Sequence, residues 1–289
     1  MNNKWFRLLQ KIHIHPIFWI MIGLAILTAD FWELLILFVI VLVHELGHSI
    51  AATFYSWRIK QILILPFGGV AEMEEHGNRP LKEELVVTLA GPLQHVWLTG
   101  AGFLLYKMSV FSLATWELFF TFNLMIFLVN LLPIWPLDGG RLMSILFSKF
   151  TPYATSHERM LQCSFFFLSL FFLVYLWIDP LHLNMWIISI FLFYSLYTEW
   201  KQRHFVFMRF LLERYYGKSS SFSNITPIVV DEKEKIHHVL QRFKRDSKHN
   251  IIIMKGDKKQ SPLDENELLH AYFKEKLTTI DIGDILYSY

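Results

Sequence analysis

Long apolar runs dominate the first two-thirds of the chain, and a polar segment with short mixed runs follows. Apolar runs of about 17 to 25 residues can cross a bilayer as helices. Six such runs stand out, at approximately 14–30, 34–55, 85–106, 115–135, 160–178 and 182–200. The first is short and carries Gly23. Between the second and third, Ile62 to Ala71 reads as two short strands about a Gly68-Gly69 turn. Beyond the sixth, Arg209 to Tyr216 has the pattern of an amphipathic juxtamembrane helix, and Gly217 to Asn224 that of a flexible Ser-rich linker. In the remainder, Ile228–Val230 and Ile251–Ile253 are the clearest strands, with a helix expected over Lys235–Arg245 between them. The pattern predicts an α-helical polytopic membrane protein with a short membrane-associated β-hairpin and a small C-terminal α/β domain. Its expected divisions are 1–205, 206–224 and 225–289.

Composition agrees with that class. Of 289 residues, 54% are hydrophobic and 17% aromatic, above the usual share for a soluble globular protein. The single cysteine, Cys163, excludes an intrachain disulfide framework or a C-x-x-C metal knuckle. A net charge of +2 gives no reason to expect direct nucleic-acid binding. The distribution of the positive charges matters more than their sum. Lys4, Arg7 and Lys11 precede the first run, and Arg58, Lys60, Arg79 and Lys82 separate the second from the third. Arg141, Lys149 and Arg159 lie between the fourth and fifth, and Lys201, Arg203, Arg209 and Arg214 follow the sixth. The opposite connections hold Lys107 as their one basic residue. By the excess of Lys and Arg on the inner side, both termini are expected in the cytoplasm. No cleavable signal sequence is expected, because the first apolar run lacks a small-residue cleavage site.

The second run contains His44-Glu-Leu-Gly-His48. Histidines four apart project from one face of a helix, one turn apart, where they can grip a single zinc ion. Glu45 directly follows the first ligand and is placed to take a proton from an activated water. Ionisable groups inside a membrane span mark a functional site. If the run enters from outside, the two histidines lie about 15 and 21 Å along it, in the cytoplasmic half of the bilayer. The motif also reads as the H-x-x-x-H box of membrane di-iron oxygenases, but His76, His95, His157, His182 and His204 are solitary and supply no further boxes.

A hydrolytic zinc site uses three protein ligands, so one is missing. The segment Asn130-Leu-Leu-Pro-Ile-Trp-Pro-Leu-Asp138-Gly-Gly closes the fourth run, which ends on the same side. Pro133 and Pro136 interrupt the helix, and Gly139 and Gly140 permit a tight turn that swings Asp138 inward. Spacing alone leaves two readings, a third ligand or a helix-ending turn with a solvated aspartate.

H-E-L-G-H on one span and N-L-L-P-I-W-P-L-D-G-G on a later one resemble the site-2 protease family of intramembrane zinc metalloproteases. That resemblance implies His44, His48 and Asp138 as ligands of one zinc ion per chain. It also implies Glu45 as general base, with Asn130 and Pro136 contacting substrate. The hairpin at 62–71 is similar to one that presents an edge to an extended substrate in that family. Ala90-Gly91-Pro92 is similar to its A-G-P motif, but His95 stands where an asparagine commonly follows, which leaves the role of His95 open.

Residues 225–289 resemble a single cystathionine-β-synthase (CBS) domain, and site-2 proteases that carry one form a branch of the family. Ser261-Pro-Leu-Asp264 fits an element that contacts ribose, so Ser261 and Asp264 are candidate ligands of ATP or another adenine nucleotide. Asp264 and Glu267 also form the pattern of a helix capping box. Such domains pair, which implies a homo-oligomer. From end to end the chain resembles the sporulation members of this branch. They imply a pro-sigma-K-like protein substrate, membrane-embedded inhibitory or regulatory partner proteins, and a mother-cell membrane around the forespore. The alternative is a catalytically silent membrane receptor that signals through the CBS domain.

Overall fold

Long helices carry most of this computed structural model, which describes residues 11–14, 22–23, 31–65, 68–73, 79–181, 183–217, 224–256 and 258–285. They are α1 (Phe31–Phe54), α2 (Leu81–Lys107), α3 (Leu113–Asn130), α4 (Asp138–Phe150), α5 (Tyr153–Ile178) and α6 (Leu183–Tyr216). Among the described residues, α1, α3 and α5 are long and apolar enough to cross a membrane. Two more expected spans coincide with α2 and α6, which are longer and more polar than the runs that predicted them. The expected span at 14–30 lies outside the described residues except at Ile14, Ile22 and Gly23. The expected juxtamembrane helix is not separate: Arg209–Tyr216 forms the last turns of α6. Leu93, Val96 and Trp97 on α2, Leu128 on α3, and Phe165, Phe166 and Leu173 on α5 remain exposed. Exposed apolar surface of that kind is suited to lipid.

The chain divides into two units. The first takes the chain up to Glu75 with Lys82–Met143 and Cys163–Leu196. Here Ile36 and Ile40 of α1 pack with Leu98 of α2 and Phe119 of α3. Lipid tails are as apolar as these side chains, so close approach at small residues does much of the joining. Helix α2 opens with Glu83 and Glu84 in its first turn, where carboxylates favour the helix dipole. Glu83 also accepts from Trp57 Nε1 at 2.9 Å. Helix α3 starts at the N-cap Ser112, whose hydroxyl accepts from the Thr115 amide at 3.1 Å.

A three-stranded sheet completes this unit: β1 (Ile12–Ile14) runs parallel to β2 (Ile59–Leu65), and β2 antiparallel to β3 (Gly68–Met73). The strand formed by Ile12-His13-Ile14 has no signal in the sequence pattern. Gly68 and Gly69 pair with Leu65 and Ile64, so they belong to β3 rather than to the turn expected of them. The connecting residues 66–67 lie outside the described residues.

The second unit gathers His76–Leu81, Ser144–Gln162 and Tyr197–Tyr289. Strand β4 (Asn224–Asp231) runs parallel to β5 (Ser247–Lys255) across the short helix α7 (Ile236–Leu240). Strands β6 (Lys258–Lys259) and β7 (Leu263–Asp264) lie antiparallel to β5, and α8 (Glu265–Phe273) and α9 (Ile282–Ile285) follow. Helix α7 stops at Leu240 instead of continuing to Arg245, because the following backbone is used elsewhere. Phe243 O accepts from Tyr153 N–H at 2.9 Å, and Lys244 N–H donates to His249 Nε2 at 3.0 Å. Arg245 Nη2 donates to Arg79 O at 3.0 Å, and Asp246 Oδ2 accepts from Leu81 N–H at 2.9 Å. The ring of Tyr153 stacks on Phe210 at 4.1 Å.

Candidate metal centre

His44, Glu45 and His48 lie on one buried stretch of α1. The two Nε2 atoms are 3.1 Å apart. Asp138, the first residue of α4, brings Oδ2 to 3.1 Å from His44 Nε2 and 3.2 Å from His48 Nε2. Among the described residues this is the one group of three such side chains placed to hold a metal.

The aspartate does not close α3, as the apolar run implied. Helix α3 ends at Asn130 with Leu131 as its C-cap. Two short turns follow, in which Ile134 N–H donates to Leu132 O at 2.7 Å and Leu137 N–H to Ile134 O at 2.9 Å. Trp135 N–H donates to Ser164 Oγ on α5 at 3.0 Å, which ties this irregular segment to a neighbouring helix. The Trp135–Pro136 peptide is cis. A new helix then starts at Asp138. Gly139 serves close approach rather than a left-handed turn, since a Cβ there would collide with the backbone carbonyls of Leu131 and Leu132. Gly256 is the one glycine with positive φ among the described residues.

The outer nitrogens of the histidines fix what faces the centre. His48 Nδ1 lies 2.8 Å from Val87 O. A carbonyl can only accept, so Nδ1 carries the hydrogen and a neutral His48 turns a lone pair inward at Nε2. Asp138 Oδ2 is buried and has no hydrogen-bond donor. Lone pairs of His48 Nε2 and Asp138 Oδ2 therefore converge beside His44 Nε2, an arrangement that calls for a cation. Bonds of about 2.0–2.1 Å to nitrogen and oxygen in a tetrahedron place ligand atoms about 3.3 Å apart. The observed 3.1, 3.1 and 3.2 Å fit that spacing.

The remaining expected residues fall as follows. Glu45 is buried beside the two histidines. Asn130 and Pro136 are half-buried on the irregular segment that leads to Asp138. His95 is not a fourth inward-facing group: its Nε2 meets the outer nitrogen of His44, Nδ1, at 3.0 Å. Asn123, which sequence reasoning did not single out, holds His95 Nδ1 at 2.7 Å. Its one sequence signal is an amide within an apolar span. Ser261 and Asp264 lie in the other unit, where Asp264 is the N-cap of α8 in a capping box with Glu267. Lys248 Nζ lies 2.8 Å from the Asp264 carboxylate.

The family model described as peptidase family M50 matches residues 32–114 and 107–173, a range that contains all three converging side chains. Stage IV sporulation protein FB of Bacillus subtilis is 50% identical over 287 residues, which cover 99% of this chain and 100% of that protein. The chain belongs to peptidase family M50. A zinc metalloprotease of Methanocaldococcus jannaschii is 39% identical to this M50 peptidase over 146 residues, 47% of this chain and 41% of its own length. The solved structure of the site-2 protease from Methanocaldococcus jannaschii aligns with a TM-score of 0.51 at 29% identity, covering 65% of this chain and 89% of that one. This M50 peptidase is a site-2-type metallopeptidase. With three span-length apolar helices, it is a membrane protein.

Proposed function

We propose that the chain is an intramembrane zinc protease whose metal is held by His44, His48 and Asp138. The observation that carries the reading is the triangle of Nε2, Nε2 and Oδ2 at 3.1, 3.1 and 3.2 Å. A bound zinc supplies Lewis acidity to the attacking water and to the scissile carbonyl. Glu45 takes a proton from that water as its oxygen bonds to the carbonyl carbon. It returns the proton to the nitrogen as the C–N bond breaks, so that the leaving group departs as an amine. A helical peptide bond is shielded and its carbonyl is already bonded, so the substrate unwinds before cleavage. The sheet β1-β2-β3 offers β3 as an outer strand on which an extended segment can add. Asn130 and Pro136, on the irregular segment before Asp138, are the proposed substrate contacts.

The inner-side topology rests on charge, and the second unit supports it. Its three pieces, 76–81, 144–162 and 197–289, fall mainly in connections that the Lys and Arg distribution assigns to the cytoplasm. We place six spans and both termini accordingly, with cleavage near the cytoplasmic face. The tail from 225 is read as one CBS domain, supported by the order β4-α7-β5-β6-β7-α8. An adenine nucleotide at Ser261 and Asp264, and pairing of tails in a homo-oligomer, belong to that reading.

The substrate is a pro-sigma-K-like protein, with inhibitory or regulatory membrane partners and a mother-cell membrane as the setting. Full-length similarity to Stage IV sporulation protein FB supports this. Co-expression with a tagged pro-sigma-K tests it. The expected result is a shortened product that disappears with a zinc chelator. An intact sigma precursor, beside cleavage of an unrelated membrane protein, would overturn the substrate assignment and leave the protease reading standing.

A further inference from the structure

A chain of buried hydrogen bonds runs from α3 through α2 to one ligand of the proposed zinc. Asn123 and His95 are 1% and 2% exposed, so every polar atom between them must find its partner within the protein. Asn123 Nδ2 donates to His95 O at 2.9 Å and to Thr99 Oγ1 at 2.8 Å. The carbonyl of His95 can only accept, which fixes the amide so that Oδ1 is the atom 2.7 Å from His95 Nδ1. His95 Nδ1 must then donate, and neutral His95 offers a lone pair at Nε2. That lone pair faces His44 Nδ1 at 3.0 Å, so His44 carries its hydrogen there and turns the lone pair of Nε2 toward Asp138 and His48. One backbone carbonyl thus sets the tautomer of a side chain three links away.

We infer that Asn123 and His95 are positioning residues that hold His44 in its metal-binding tautomer and orientation. His48 obtains the same service from a single backbone acceptor, Val87 O at 2.8 Å. His44 instead depends on two side chains from two other helices, so its hold can be changed without altering a ligand. Partners of this kind are worth about 10- to 100-fold in metal affinity. The inference rests on the zinc reading of the His44, His48 and Asp138 triad.

The test is zinc affinity of the purified full-length chain in detergent, measured by competition with a chromophoric chelator. The cobalt-substituted absorption spectrum serves as a second readout. In His95→Gln the amide oxygen can accept from His44 Nδ1 and the amide nitrogen can donate to Asn123, so zinc affinity stays within about three-fold of the unmodified chain. His95→Leu fills a similar volume with neither bond, so affinity falls about 10- to 100-fold and the cobalt spectrum shifts. Equal affinity in His95→Leu and the unmodified chain overturns the inference. If His95→Leu does not fold, His95→Gln decides: retention supports the inference, and a ten-fold loss in a folded His95→Gln overturns it. An unmodified chain that binds no zinc would instead overturn the zinc reading itself.

Discussion

Gly91 on α2 lies so close to the imidazole of His48 on α1 that a methyl group at its α-carbon would overlap the ring. The absence of a side chain is what lets His48 reach across to Val87 O. It also lets the two helices meet where lipid offers no hydrophobic gain for their association. Gly91→Ala should therefore displace His48. Overpacking of this kind costs about 1–3 kcal/mol, and here it falls on a proposed ligand. We expect zinc content well below one per chain, measured by elemental analysis of the purified variant. Gly100, also on α2, has open space at its α-carbon, so Gly100→Ala should leave zinc content unchanged.

Topology gives an independent test. Reporter fusions at Gly77 and Lys149 should read as cytoplasmic, and fusions at Ser112 and Asp179 as external. An external signal at Gly77 would invert the proposed site and exclude a cytoplasmic sigma factor as substrate.

The tail should loosen in acid. Glu265 is buried between Arg214, whose Nε lies 2.5 Å away, and His249, whose Nδ1 lies 3.0 Å away. Burial holds the His249 imidazole below the usual histidine range, against the hydrogen bond that its Nδ1 donates to Glu265. Burial would raise the Glu265 carboxyl, but His249 and Arg214 outweigh it and hold the group below its usual range. Below about pH 6.5 the unfolded tail takes up a proton at His249 that the folded tail refuses, so stability falls with pH. The contribution of Glu265 is lost in turn below about pH 4.5, with the same sign. Protease sensitivity of residues 225–289 in the full chain should rise between pH 7 and pH 5, and His249→Gln should flatten that rise. No change across this window would contradict the assignment of a neutral buried His249.

Nucleotide binding by the tail can be separated from helix capping at the same residue. Asp264→Asn keeps a good N-cap but removes the carboxylate that a ribose diol would favour. ATP titration of the full chain should show binding that weakens in the variant. No binding to the unmodified chain at millimolar ATP would make the tail a docking surface rather than a nucleotide sensor.

Local patterns were the readable part of the sequence. His44, Glu45 and His48 share a motif, and the Asp264–Glu267 capping box spans one turn, so spacing alone reveals both. Asp138 was visible through its motif, but not its position at the start of a separate helix. The irregular segment before that helix is tied to Ser164 on another helix through Trp135 N–H, a contact between residues far apart in the chain. His13 in β1 carries no period-2 signal, because a three-residue strand is too short to show one. The His44–His95–Asn123 series and the Arg214–Glu265 pair join residues tens of positions apart, and no periodicity encodes such contacts.

In the proposed reaction Glu45 acts as a base beside a zinc held by His44, His48 and Asp138. Glu45→Gln keeps the shape of the side chain and removes its basicity. The decisive measurement pairs zinc content with cleavage of a tagged pro-sigma-K in that one variant. The expected result is zinc equal to that of the unmodified chain, with cleavage reduced at least about 100-fold. Undiminished cleavage in the zinc-loaded variant would contradict it.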